Sequence, residues 1–243
     1  MRIRTQLTSS RTAVLVAGVL MLGLAVSCND KPQTGAGING MSREEAEHLN
    51  ADQSKFGSAE KDPPFTAQTR FAAGQLAESQ GSPDRAIDQY REALKLDPKC
   101  EPALYRIGVL YTQMKQYSPA IETWKRYIVA TNGTAIGHSN LAFCYELAGH
   151  PAEAEASYKQ AIAKDPKCVP ARNNYGLMLA RTGRVDEAME QLQAVFKPAE
   201  AHYNIASVLE QQGKKEQAKQ HYNEALRLDP TFVEAKKRLA ALN

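Results

Sequence analysis

Long apolar runs are scarce in this 243-residue chain. The run at residues 13–26 has 14 residues, fewer than the about 20 that a membrane-spanning helix needs. Excess charge of one sign is also missing. Lys and Arg number 30 and Asp and Glu 27. Three of the basic residues, Arg2, Arg4 and Arg11, stand in the acid-free stretch 1–27, so 27 of each sign remain beyond it. That balance gives no electrostatic reason to bind nucleic acid. No phosphate-binding loop, nucleophile elbow or zinc-binding helix motif is written anywhere. The acids are spread at helical spacing, as on solvent-facing surfaces. No catalytic residue, and no enzyme, is expected. The five histidines, His48, His138, His150, His202 and His221, show no clustering with one another or with the four cysteines, so no metal and no cofactor is expected. What is present, 43% hydrophobic and 23% charged residues, is the composition of a globular protein.

The first residues read as a targeting segment. A basic start, a short apolar core and small residues before a break describe an export signal over residues 1–27. The break is "LAVSC", Leu24–Cys28, which resembles the lipobox of bacterial lipoproteins, with Ala25 where the commonest form has Leu. The resemblance implies cleavage before Cys28 and lipidation of its thiol. Three acyl chains exceed the two signals that stable anchoring takes, so the chain is expected to be tethered in the bacterial cell envelope and to face the periplasm. Asn29 after the cysteine leans toward the outer membrane, by analogy with enteric bacteria. Residues 28–65 are rich in Gly, Pro, Ser, Asp and Lys without a sustained period, as in a linker. Ser42 and Glu45 make a capping-box pattern within it. The adjacent Pro63 and Pro64 stop any helix before Phe65.

Beyond the linker the tetrapeptide "DPKC" occurs at Asp97–Cys100 and again at Asp165–Cys168. Two explanations compete: half of a metal or disulfide site, or a structural repeat. The match extends far upstream. "GSPDRAIDQYREALKLDPKC" aligns with "GHPAEAEASYKQAIAKDPKC", and "GKKEQAKQHYNEALRLDPTF" aligns with both. The period is 34 residues, which indicates a stacked-repeat architecture. Small residues recur at position 8 (Gly74, Gly108, Ala142, Gly176, Ala206) and at position 20 (Ala86, Ala120, Ala154, Ala188, Ala218). A large residue recurs at position 24 (Tyr90, Trp124, Tyr158, Leu192, Tyr222). Two helices approach closely at the small positions, and the large side chain fills the gap beside them. One such hairpin cannot bury its own apolar face, so hairpins must stack.

This pattern resembles the tetratricopeptide repeat (TPR). The resemblance implies an all-α, right-handed α-solenoid of about five helix hairpins and a C-terminal capping helix. The repeats are residues 67–100, 101–134, 135–168, 169–198 and 199–232, with the cap at 233–243, inside a domain at 66–243. The fourth repeat has 30 residues, so its second helix is expected to end early, near Phe196. Ser82 and Ser118 precede Pro83 and Pro119 as candidate N-caps. Asn132 and Gly133 are candidates for left-handed backbone. Apolar Val233, Leu239 and Leu242 are expected to seat the cap. Cys100 and Cys168 lie two repeats apart, which at about 8–10 Å per helix layer exceeds the roughly 7 Å between Cα atoms that a disulfide allows. Cys144 is expected in the core.

By the same resemblance, peptides bind along the first helices. The candidate lining is Phe71, Gln75, Tyr105, Arg106, Val109, Gln113, Ser139, Asn140, Phe143, Asn173, Leu177, Arg181, Tyr203, Ser207 and Gln211. Either these aromatic rings meet a partner or neighbouring helices bury them. The Lys and Asn pattern with which one TPR subtype grips C-terminal carboxylates is missing. Two readings of function remain. One is a lipid-anchored adaptor that binds a protein or peptide segment in envelope, secretion or pilus assembly. The other is a self-associating structural envelope protein.

Overall fold

The computed structural model describes residues 65–242. The expected signal segment, the Cys28 lipidation site and the linker as far as residue 64, with its Ser42–Glu45 cap, lie outside the described residues. Among the described residues there are eleven helices and no strand. Five antiparallel pairs follow one another: α1 (Ala67–Ser79) with α2 (Pro83–Leu96), α3 (Glu101–Gln113) with α4 (Tyr117–Ala130), α5 (Ala135–Leu147) with α6 (Pro151–Lys164), α7 (Val169–Arg181) with α8 (Val185–Gln193), and α9 (Pro198–Gln211) with α10 (Lys215–Leu228). The single helix α11 (Val233–Leu242) closes the series against α10. The arrangement is an all-α solenoid of helix hairpins.

Each hairpin turn is built alike. One left-handed residue follows the first helix: Gly81, Lys115, Gly149, Gly183 and Gly213, with φ of 70°, 59°, 81°, 83° and 74°. The next N–H then reaches back five residues, as Ser82 N donates to Ala77 O at 2.9 Å and Arg184 N to Leu179 O at 2.9 Å. This bond satisfies a carbonyl that the helix end leaves without a partner. Lys115 occupies the left-handed position with a Cβ, which glycine at the other four turns avoids. Asn132 and Gly133 close α4 with φ of 54° and 82°, in the expected left-handed form. Pro83 and Pro151 open α2 and α6, where a missing N–H costs no helix bond. The serine caps differ from expectation. Ser82 sits at the N-cap without a side-chain cap bond. Ser118 lies inside α4, whose N-cap is Gln116, because Tyr117 already takes helical backbone.

Close approach within a hairpin is set by positions 8 and 24. A Cβ on Gly74 would lie 2.4 Å from the Tyr90 ring, and one on Gly108 would lie 2.6 Å from the Trp124 ring. A Cβ on Gly176 would lie 2.8 Å from Leu192. Trp124, Tyr90, Tyr158 and Tyr222 are all fully or nearly fully buried. The larger part of the core forms two clusters, one running from Ala77 to Cys144 and one from Ala142 to Ala235. They meet at α5. Cys144 is buried, and Cys100, Cys144 and Cys168 are all free thiols.

The fourth hairpin is shortened as its length implies. Helix α8 has 9 residues where α2, α4, α6 and α10 have 14. Phe196 folds back against the core, and Pro198 opens α9. The Glu200 carboxylate accepts from the Lys197 backbone N–H at 3.0 Å, an N-terminal cap in which the helix supplies its own acceptor. In α11 the buried contact is Ala235, with Leu239 and Leu242 half-buried. Val233, expected to help seat this helix, is 51% exposed, because it stands in the first turn on the outer side.

Candidate functional site

The first helices form one continuous face over much of the array, α5 packing on α7 and α7 on α9. The sequence-selected residues on this face separate into three groups. Gln75, Gln113 and Gln211 are exposed, and Asn140, Phe143 and Ser207 are half-buried. Phe143 belongs to none of the buried clusters among the described residues. These six side chains are available to a ligand.

A second group is committed to the core. Phe71 lies on Tyr90 with ring centroids 5.2 Å apart. Tyr105 meets Trp124 edge-on at 5.4 Å and Tyr127 at 5.8 Å. Tyr203 lies between Tyr222 at 5.6 Å and Phe232 at 5.0 Å. Val109 and Leu177 also pack against the clusters. Of the two outcomes open for these rings, packing against neighbouring aromatics is the one seen at Phe71, Tyr105 and Tyr203, each of which stays half-buried. Ser139 is 1% exposed and Asn173 6%, so neither reaches a ligand in this conformation. A position-5 side chain points toward the adjoining helix, and a short one is covered there.

The third group is ionic. Arg106 pairs with Glu78 of the preceding hairpin, its Nε donating to Oε1 at 2.9 Å. Arg181 pairs with Glu146 of the preceding hairpin through Nη2. These carboxylates were not singled out in the sequence, yet they organise the face. Glu78, Glu146 and Glu210 each accept from the tyrosine 12 residues on, Tyr90, Tyr158 and Tyr222. Each also takes an arginine from the next first helix or the cap, Arg106, Arg181 or Arg238. Burial and the adjacent carboxylate push the Tyr90 and Tyr222 hydroxyls well above the usual tyrosine range. The Glu78 hydrogen bond raises the Arg106 guanidinium further. The spacing of 12 between acid and tyrosine was the available signal. The second and fourth hairpins lack the device: position 12 holds Thr112 and Ala180, opposite Trp124 and Leu192.

On the opposite side of the third hairpin, Glu155 joins three partners. Its Oε2 accepts from Arg184 Nη1 at 2.7 Å, and its Oε1 from Lys159 Nζ at 2.7 Å and Tyr175 Oη at 2.8 Å. The Arg184 and Lys159 hydrogen bonds hold the Glu155 carboxyl down to about 2.

The histidines differ from expectation. Among the described residues no three His, Cys, Asp or Glu side chains gather as a metal cluster. Two histidines nevertheless meet: His202 on α9 and His221 on α10 lie 3.1 Å apart, Nδ1 to Nδ1. No helix among the described residues is long and apolar enough to cross a membrane.

Tetratricopeptide repeat models match residues 67–135, 135–160, 148–198 and 199–232. The chain belongs to the tetratricopeptide repeat family. Among curated proteins it is 31% identical over 126 residues to the general transcriptional corepressor trfA of Dictyostelium discoideum, covering 51% of this chain and 9% of that protein. It is 27% identical over 133 residues to the type IV pilus assembly protein PilF of Pseudomonas aeruginosa, covering 52% of this chain and 53% of that protein. A segment of the barley protein named as the probable UDP-N-acetylglucosamine–peptide N-acetylglucosaminyltransferase SPINDLY is 28% identical over 48% of this chain and 13% of that enzyme. The chain thus spans about a tenth to about half of the length of these relatives. Among solved structures, MamA superposes with a TM-score of 0.57 at 22% identity, covering 69% of this chain and 94% of that one. YrrB superposes with a TM-score of 0.52 at 23% identity, covering 76% and 96%. The family and fold are those of protein-interaction scaffolds.

Proposed function

We propose that this protein is a lipid-anchored adaptor that holds an extended, largely uncharged protein segment on its first-helix face, in envelope, secretion or pilus assembly. The observation that carries the reading is the chemistry of that face. Its three carboxylates, Glu78, Glu146 and Glu210, are each matched by an arginine and a tyrosine hydroxyl. What remains open is Phe143 among the amides Gln75, Gln113, Asn140 and Gln211. Side-chain amides offer both donors and acceptors to a peptide backbone, and an aromatic ring gives a partner side chain an apolar seat. The similarity to a type IV pilus assembly protein supports a place in envelope assembly, as does the "LAVSC" sequence at Leu24–Cys28. The bacterial envelope, with the chain facing the periplasm from the outer membrane, is the location this reading requires.

The test is partner capture from detergent-solubilised envelope, with Phe143→Ser compared to the parent. Capture should weaken while the melting temperature stays within about 2 °C, the shift that less than about 1 kcal/mol causes in a domain of this size. Binding carried by neutral groups should also change little between low and physiological salt, since salt screens interactions between exposed charges. Undiminished capture by Phe143→Ser, or capture lost at physiological salt, would count against the face as the docking site. Light scattering separates the competing reading, in which the same face is buried between copies of the chain. A monomer at all concentrations excludes it.

A further inference from the structure

Position 4 of a first helix and position 23 of its second helix meet as a polar pair in three hairpins. Arg70 Nη1 donates to Gln89 Oε1 at 3.1 Å, and Arg172 Nη1 donates to Gln191 Oε1 at 2.7 Å. In the fifth hairpin the two positions hold His202 on α9 and His221 on α10. Their rings are tilted by 37° with centroids 5.2 Å apart, and the Nδ1 atoms are 3.1 Å from one another. At that distance one Nδ1–H donates to the lone pair of the other.

We propose that His202 and His221 form a bidentate site for a divalent transition-metal ion, bound through the two Nδ1 atoms and stapling α9 to α10.

Geometry supports chelation. An imidazole nitrogen binds zinc at about 2.0–2.1 Å, so two such ligands stand about 2.9 Å apart at a right angle and about 3.3 Å apart at a tetrahedral angle. The observed 3.1 Å falls between these values, so chelation requires the two Nδ1 lone pairs to turn toward a common point and leaves their separation unchanged. The chemical class follows from the donors. Neutral imidazole suits Zn²⁺, Ni²⁺ and Cu²⁺, whereas Ca²⁺ and Mg²⁺ take oxygen.

The charged groups acting on the pair are Glu224 and Arg227 of α10. The Glu224 carboxylate accepts from Arg227 at 2.6 and 2.8 Å, which moderates both fields. With both rings neutral, one as the donor and the other as the acceptor of the Nδ1–Nδ1 hydrogen bond, metal entry releases no proton. The hydrogen shared between the Nδ1 atoms moves through solvent to Nε2 of its own ring, and each Nδ1 lone pair faces the ion. Water fills the remaining coordination positions.

The experiment is titration of the tag-free full chain with Cu²⁺ and with Zn²⁺. Copper should bind at one equivalent with an electron paramagnetic resonance signal split by two nitrogens, and zinc should raise the melting temperature. His202→Asn and His221→Gln should each remove the two-nitrogen signal, whereas His150→Gln, at an exposed position, should keep it. The combination of His202→Arg with His221→Gln rebuilds the Arg–Gln pair of the first and fourth hairpins, so this protein should fold normally and lose both metal responses. An unchanged response to Cu²⁺ and Zn²⁺ in that doubly substituted protein, or no two-nitrogen signal in the parent, would overturn the assignment.

Discussion

Glu78 and Arg106 lie 28 residues apart in sequence and close into an ion pair between the first and second hairpins, with Tyr90 donating to the same carboxylate. Arg106→Ala would leave a largely covered carboxylate without its cation. The Arg106 side chain is 38% exposed, and solvent offsets part of the loss. The expected destabilisation is about 1–3 kcal/mol, the range for leaving a buried polar group without its partner. Lys125→Ala, which breaks an exposed pair with Glu122 inside α4, should cost no more than about 0.5 kcal/mol. Urea unfolding of the two variants side by side checks the contrast.

The Trp124 ring fills the space beside Gly108. Trp124→Ala should lower stability by about 3–5 kcal/mol, as the loss of a buried large aromatic does. Gly108→Ala should also destabilise, by about 1–3 kcal/mol, because its Cβ would meet the indole at 2.6 Å and a rigid ring cannot step aside. Equal melting curves for Gly108→Ala and the parent would show that α3 and α4 can separate without loss.

Acid should weaken the third and fourth hairpins through Glu155. In the unfolded chain its carboxyl titrates near 4.5, and in the folded chain near about 2. Above 4.5 both states are ionised, and the full contribution of the Arg184 and Lys159 contacts is present. As pH falls below that value the unfolded chain takes up a proton first, so stability declines until the folded carboxyl protonates near about 2. Glu155→Gln should therefore flatten the stability profile between pH values of about 4.5 and about 2 and lower stability at pH 7. Denaturant midpoints measured across that range read the difference.

Tyr105→Ser and Tyr203→Ser should each lower the melting temperature by several degrees, since both rings pack against buried aromatics and about 1 kcal/mol shifts a domain of this size by roughly 2–4 °C. Differential scanning calorimetry distinguishes them from Phe143→Ser, whose melting should match the parent.

Cys28→Ser tests the proposed anchor. Incorporation of radiolabelled fatty acid should stop, and the protein should move to the soluble fraction of lysed cells. Continued membrane association of the variant would remove the anchor from the proposed function.

Much of the architecture was legible because its determinants are local. The small residue at position 8, the large one at position 24 and the turn before the second helix fall in one phase, and one sequence shows all of them. The shortened α8 followed from four absent residues. What escaped the reading depends on reach. Tyr105 and Tyr203 lie at the edge of the apolar stripe, and a tyrosine ring is long enough to extend from there into the core. The carboxylates at position 12 share a register, but their arginines come from position 6 in α3 and position 13 in α7, which no single spacing connects. His202 and His221 stand 19 residues apart on different helices, so only the closed hairpin brings them together. The Arg70–Gln89 and Arg172–Gln191 pairs show that the register was present in the sequence.

The carboxylate, tyrosine and arginine clusters appear in alternate hairpins, and this changes what a unit of this chain is. Genes for repeat proteins lengthen and shorten by whole copies. Excising residues 101–168 would join Cys100 to Val169, restoring the "DPKCVPAR" junction that already occurs at residues 165–172. It would also set Glu78 before the helix that carries Arg181, in the register now held by Glu146. Excising only residues 101–134 would set Glu78 before Asn140 and Leu147 at positions 6 and 13, and the acid would lose its cation. By this register two hairpins, rather than one, are the unit whose removal keeps the acid matched to its cation, and the twin "DPKC" tetrapeptides stand at the two ends of that unit.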